Sequence, residues 1–142
     1  MEDTKLTRSG DDTVSLSKRV SLANDDKSDL FVSIHLNSVA DNPATEKNEF
    51  EECTGTEVCH FGPNTKQLAA SFSKAISSSL SIADRGPKER PDLHVLRNTK
   101  CPALLLEICF IQKDITKLFS FANRLALIEA ITKQIRKALN EV

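Results

Sequence analysis

The segment that most constrains this chain is Ala103-Leu104-Leu105-Leu106-Glu107-Ile108-Cys109-Phe110, an apolar run with a carboxylate inside it. It is far too short to cross a bilayer, and it reads as a central strand covered on both faces. A strand of that kind needs helical layers, and the rest of the sequence supplies them. Leu16, Val20 and Ala23 recur at helical spacing within Val14 to Asn24, where Thr13 or Ser15 offers an N-cap. Leu68, Phe72, Ala75, Ile76 and Leu80 make a second apolar stripe, and Leu125, Ile128, Ile131, Ile135 and Leu139 a third. Shorter β-rich runs lie at Asp29 to His35, Thr56 to Phe61 and Leu93 to Leu96. Ala83 to Pro91 reads as a surface connection, and the acidic stretch Asn37 to Thr54 as a loop long enough to act as a lid. The expected fold is a single α/β domain over residues 1–142, with a largely parallel twisted sheet flanked by helices.

At 142 residues the chain supports one principal core and therefore one principal site. Nineteen Lys and Arg against twenty Asp and Glu give a net charge of -1, so no excess of positive charge attracts nucleic acid. Trp and Tyr are absent, which argues against a platform for stacking bases or sugars. No apolar run is long enough for a membrane span, and the polar first thirty residues do not resemble a signal peptide. The four cysteines, Cys53, Cys59, Cys101 and Cys109, contain no C-x-x-C pair and read as reduced, partly buried thiols rather than a zinc hook.

Two residues have surroundings that ask for a reason. A carboxylate at Glu107, inside an apolar strand, is costly without a partner. His35 closes a buried strand, and the C-terminal edge of strands is where open α/β sheets bind ligands. The structural alternatives are a hydrogen-bonded histidine at His35 and an ion pair between Glu107 and Arg97. Alternation places Cys109 on the Glu107 face, with no activating partner for thiol chemistry.

The order of short motifs adds to this reading. Thr7-Arg8 with Asp12, Leu16 and Arg19, Ala23-Asn24, and Asp29-Leu30-Phe31-Val32-Ser33-Ile34-His35-Leu36-Asn37 are followed by Gly55-Thr56-Glu57-Val58 and Phe61. Asp84-Arg85-Gly86, Val95-Leu96-Arg97 with Thr99, and the Pro102 to Phe110 segment complete the order. The chain thereby resembles the zinc-dependent N-acetylmuramoyl-L-alanine amidases of the amidase type 3 family. The resemblance implies a peptidoglycan substrate, cut between the lactyl group of N-acetylmuramic acid and L-alanine, and action in the cell wall, the periplasm or the extracellular space. It implies that Glu107 is the catalytic glutamate and that His35 is the second of two zinc histidines. Asn37 and Arg97 are then expected to orient these groups or to bond substrate, with a turn role for Asn37 equally open.

The family's first strand, with a Gly-His-Gly segment carrying the first zinc histidine, and the following helix with the glutamate ligand have no counterpart here. They amount to about 30 residues at average element lengths. Two of three expected zinc ligands are thus missing, and neither His60 nor His94 stands where the family has a ligand. One histidine supplies roughly 3 to 4 kcal/mol of a four-ligand zinc site, which corresponds to binding near millimolar. Two further expectations follow. Hydrolysis depends on the missing ligands, the alternative being a non-catalytic wall-binding or partner-binding protein, and an open sheet edge favours a homodimer.

Overall fold

In the computed structural model, which describes residues 3–39 and 53–140, the elements follow one another as α1 (Leu16–Asp25), β1 (Phe31–Asn37), β2 (Thr56–His60), α2 (Pro63–Leu80), β3 (Asp84–Glu89), α3 (His94–Asn98), β4 (Ala103–Phe110) and α4 (Phe121–Asn140). A short 3-10 helix, Ile115–Phe119, leads into α4. The expected lid, Asn37 to Thr54, lies mostly outside the described residues. Helix α1 begins where Ser15 caps it, its hydroxyl accepting from the Lys18 amide at 3.2 Å.

The apolar octamer is an interior strand of a four-stranded sheet ordered β1-β4-β2-β3. Residues on one side of β4 (Leu104, Leu106, Ile108) join Val58, Phe72, Ile76, Leu80 and Ile131 in a core under α2 and α4. Those on the other side (Ala103, Leu105) join Val20, Ala23, Phe31, Cys59, Val95 and Leu96 under α1 and α3. Burial on both faces is the reason the segment is apolar at every position but Glu107. The α/β class with helices on both faces is therefore as expected.

The sheet is largely parallel, as expected, with one antiparallel pairing. β1 pairs parallel with β4 and β2 parallel with β3, but β2 runs antiparallel to β4. The register explains this, because β1 ends and β2 begins at the same edge of the sheet, and a parallel partner would need a crossover to the opposite edge. Helix α2 supplies such a crossover only between β2 and β3.

Three local expectations are corrected. Ala83 to Pro91 is no mere connection, since it contains β3, an edge strand that tolerates Pro87 because its outer side needs no ladder donor. Leu93 to Leu96 is not a strand but the entry to α3, with the Leu96 and Arg97 amides both donating to the Leu93 carbonyl at 3.1 Å. A four-residue apolar run has too few repeats to distinguish the two periods. On α4 the core stripe runs through Leu127, Ile131, Ile135 and Ala138, leaving Leu125 and Ile128 exposed. The stripe starting at Leu125 is rotated from the observed one by part of a turn. At the outer edge of the sheet Ile34 and Leu36 of β1 are also exposed.

Gly55 fixes the entry to β2. Its φ is +110°, and a Cβ there would stand 2.5 Å from the Ala83 carbonyl oxygen, the same oxygen that accepts the Thr56 amide at 2.8 Å. Gly55→Ala is expected to cost about 1–3 kcal/mol in urea unfolding. An unchanged midpoint would show that β2 and β3 are free to move apart at this point.

Candidate active site

The register sets three polar side chains in one row across the sheet. His35 of β1 pairs with Glu107 of β4, and Glu107 pairs with Glu57 of β2. Directly opposed residues in a sheet share a face, and here it is the face that α1 and α3 cover further down, over Phe31, Leu105 and Cys59. The row therefore sits one step beyond an apolar floor, at the C-terminal ends of the parallel pair β1 and β4.

Glu107 is the central member. Its Oε2 is buried and has no hydrogen-bond partner among the described residues. Desolvation first, and the neighbouring Glu57 carboxylate second, push its pKa above the ordinary carboxylate value, with Arg90 opposing weakly. A carboxyl held in that state both takes and returns a proton more readily near neutrality than a solvated one. His35 is exposed, and its Nε2 lies 2.9 Å from the Ser33 hydroxyl two residues back on the same face. Desolvation of the ring, then the charge of Arg19, hold its pKa below the ordinary histidine value, which favours the neutral imidazole. Arg19 is itself held by the Thr7 hydroxyl at 2.8 Å and the Val14 carbonyl at 3.2 Å.

Asn37 reaches the same group from the next row. Its Nδ2 donates to Glu57 Oε1 at 3.2 Å, and Arg85 Nε donates to Glu57 Oε2 at 2.9 Å. The Arg85 guanidinium carbon lies 5.1 Å from the centroid of the Phe110 ring. Glu57, Arg85 and Phe110 join the site in the structure, and the sequence alone does not mark them as its members. Glu57 is the one carboxylate of β2 and the only local signal there, and Arg85 lies in a segment that reads as a connection.

Arg97 is exposed on α3, and no hydrogen bond or ion pair joins it to His35, Asn37 or Glu107 among the described residues. Cys109 is not on the Glu107 face. The pairing shifts from His35 opposite Glu107 to Asn37 opposite Phe110, which places one extra residue in β4. That irregularity brings Phe110 to the site face and turns Cys109 into the core under α2 and α4. Burial, reinforced by Asp114, pushes its thiol up to about 11, so it is inert.

The other histidines are committed elsewhere. His60 is buried at the far end of β2, with Nδ1 near the Gly62 carbonyl at 3.2 Å and the Thr65 hydroxyl at 3.3 Å. His94 lies on α3 beside Asn98. Among the described residues no group of three His, Cys, Asp or Glu side chains is placed to hold a metal.

A carboxyl with a buried, unpartnered oxygen thus stands beside a histidine at the strand ends of a sheet clad by helices on both faces. The chain belongs to the amidase type 3 family, described as N-acetylmuramoyl-L-alanine amidase, whose profile matches residues 2–140. It is 37% identical over 140 residues to an endolysin of Bacillus phage SPP1, covering 96% of this chain and 49% of that protein. It is 33% identical over 137 residues to the N-acetylmuramoyl-L-alanine amidase CwlM of Bacillus licheniformis, covering 95% of this chain and 50% of that one. Among solved structures, the catalytic domain of CwlV, an N-acetylmuramoyl-L-alanine amidase from Bacillus (Paenibacillus) polymyxa var. colistinus, superposes with a TM-score of 0.81 at 29% identity, over 97% of this chain and 73% of that one. The chain thus spans about half the length of these two curated relatives.

Proposed function

We propose that this chain acts on peptidoglycan as an N-acetylmuramoyl-L-alanine amidase, with Glu107 as the group that moves the proton. The observation that carries this reading is the buried, unpartnered Oε2 of Glu107 in the row with His35. Glu107 takes the proton of the water that attacks the lactyl carbonyl and returns it to the alanine nitrogen as the C–N bond breaks, leaving a carboxylic acid and an amine. Asn37 and Arg85 keep Glu57 in place beside it. The site of action that this substrate demands is the cell wall, reached from the periplasm or the outside, and no helix among the described residues is long and apolar enough to cross a membrane.

Zinc is the cofactor the family implies, and it serves such reactions by activating water and polarising the carbonyl. Catalytic zinc takes three protein ligands. The described residues offer His35 without two further ligands grouped around it, so they do not fit zinc by themselves. That observation favours a second reading, in which the chain binds wall material without cutting it.

Incubation with purified peptidoglycan at millimolar zinc separates the two. The expected result is new alanine amino termini without new reducing sugar ends, lost in Glu107→Gln. Wall binding that persists in chelator and in Glu107→Gln, with no release at any zinc concentration, overturns hydrolysis in favour of the second reading. A chain that fails to bind the wall at all overturns both.

A further inference from the structure

Arg85 stands just before Gly86, the β3 residue paired with Glu57, so the row His35, Glu107, Glu57 ends beside it. Its side chain is held twice, by the Nε bond to Glu57 and by the face of Phe110. The remaining edge of the guanidinium, formed by its two terminal nitrogens, has no hydrogen bond among the described residues. The side chain is 39% exposed, against 14% for Glu57, so this edge is open to solvent while its anchor is not. An arginine with its plane stacked and one edge already occupied has lost much of its rotamer freedom before any ligand arrives, and the edge it still presents matches a carboxylate in two-pronged geometry. Glu57 takes the Nε of Arg85 with one oxygen while its other oxygen accepts from Asn37, so a ligand shares the guanidinium with it through the two terminal nitrogens.

We propose that Arg85 is a specificity-determining residue that receives a carboxylate carried by the peptide part of the substrate. This rests on the amidase reading above. Two strand spacings separate Glu107 on β4 from Arg85 on β3, roughly 10 Å, and an extended peptide covers that distance in roughly two to three residues. The carboxylate in question therefore belongs to a residue close behind the alanine at the scissile amide.

The test uses the full chain and the probe N-acetylmuramoyl-alanyl-glutamate in four forms: both carboxyls free, either one amidated, and both amidated. Titration by NMR is expected to show the free form, or the one monoamide that retains the relevant carboxyl, binding about 10- to 100-fold more tightly than the diamide. Arg85→Met is expected to bind the free form and the diamide with the same affinity, and its circular dichroism spectrum and urea midpoint show independently that the variant is folded; a variant that keeps the preference for the free form overturns the role of Arg85. Arg85→Lys restores part of that preference as a point charge without the fork. Binding of all four forms with equal affinity by the unaltered chain overturns the role of Arg85 while leaving the amidase reading intact. Binding of none of them overturns both.

Discussion

Glu107→Gln is expected to abolish hydrolysis, by about 10²- to 10⁴-fold, while leaving the fold at least as stable as before at neutral pH. The kinetic part follows from the chemistry, since an amide side chain neither accepts the proton of water nor donates one to the departing nitrogen. The stability part follows from the setting. Glu107 has a pKa raised by burial and by Glu57, so the folded state binds its proton more tightly than the unfolded state does. Such a group stabilises the fold below the unfolded value, and that contribution is lost as pH rises through the raised folded value. The glutamine carries no charge at any pH and escapes this loss. Urea midpoints of the two proteins should therefore diverge as pH rises from the ordinary carboxylate value through the raised one, with the variant gaining. A variant that loses stability at pH 7 would show that Glu107 is held charged by partners, against the geometry of its unpartnered Oε2.

The centre of this site was legible because burial and polarity conflict there. A glutamate inside Ala103–Phe110 and a histidine closing a β-rich run both violate their surroundings, and the register then sets them side by side. Glu57 and Arg85 could not be placed the same way. Their significance depends on which strands are neighbours, and nothing local in Thr56–His60 announces that it pairs antiparallel with β4. Cys109 shows the same limit more sharply. Strict alternation assigns it to the Glu107 face, and one extra residue between the Glu107 and Phe110 pairings moves it to the opposite one. Leu125 and Ile128 illustrate a further limit, because several stripes fit the apolar residues of a helix with Ile and Leu on more than one side, and tertiary packing selected the one through Ile131 and Ala138.

That irregularity in β4 is held by Asp114, and Asp114→Ala is expected to destabilise the protein by about 3–5 kcal/mol. Asp114 is 4% exposed. Its Oδ2 accepts the Gly55 amide at 2.9 Å and the Phe110 amide at 3.2 Å, and its Oδ1 accepts the Thr54 hydroxyl at 2.6 Å. One carboxylate thus ties the start of β2 to the end of β4 at the edge where the site lies. Alanine leaves two buried backbone amides without their acceptor, and an unsatisfied buried amide costs more than a made bond contributes. Asp114→Asn is the milder change, since its amide oxygen in the place of Oδ2 accepts from both backbone amides and its NH₂ opposes only the Thr54 hydroxyl. Thr54→Val removes the hydroxyl bond alone and should cost about 1 kcal/mol. Urea unfolding of the three variants measures the order Ala, Asn, Val, and a loss below about 1 kcal/mol for Asp114→Ala would sink the idea that this residue clamps the strands. A second reading comes from Cys109, whose thiol is pushed up by burial and by the Asp114 charge. Removing that charge and loosening the strand end should bring the thiol down and speed its reaction with a disulfide reagent, and a faster reaction in Asp114→Ala but not in Thr54→Val would place the opening at the end of β4.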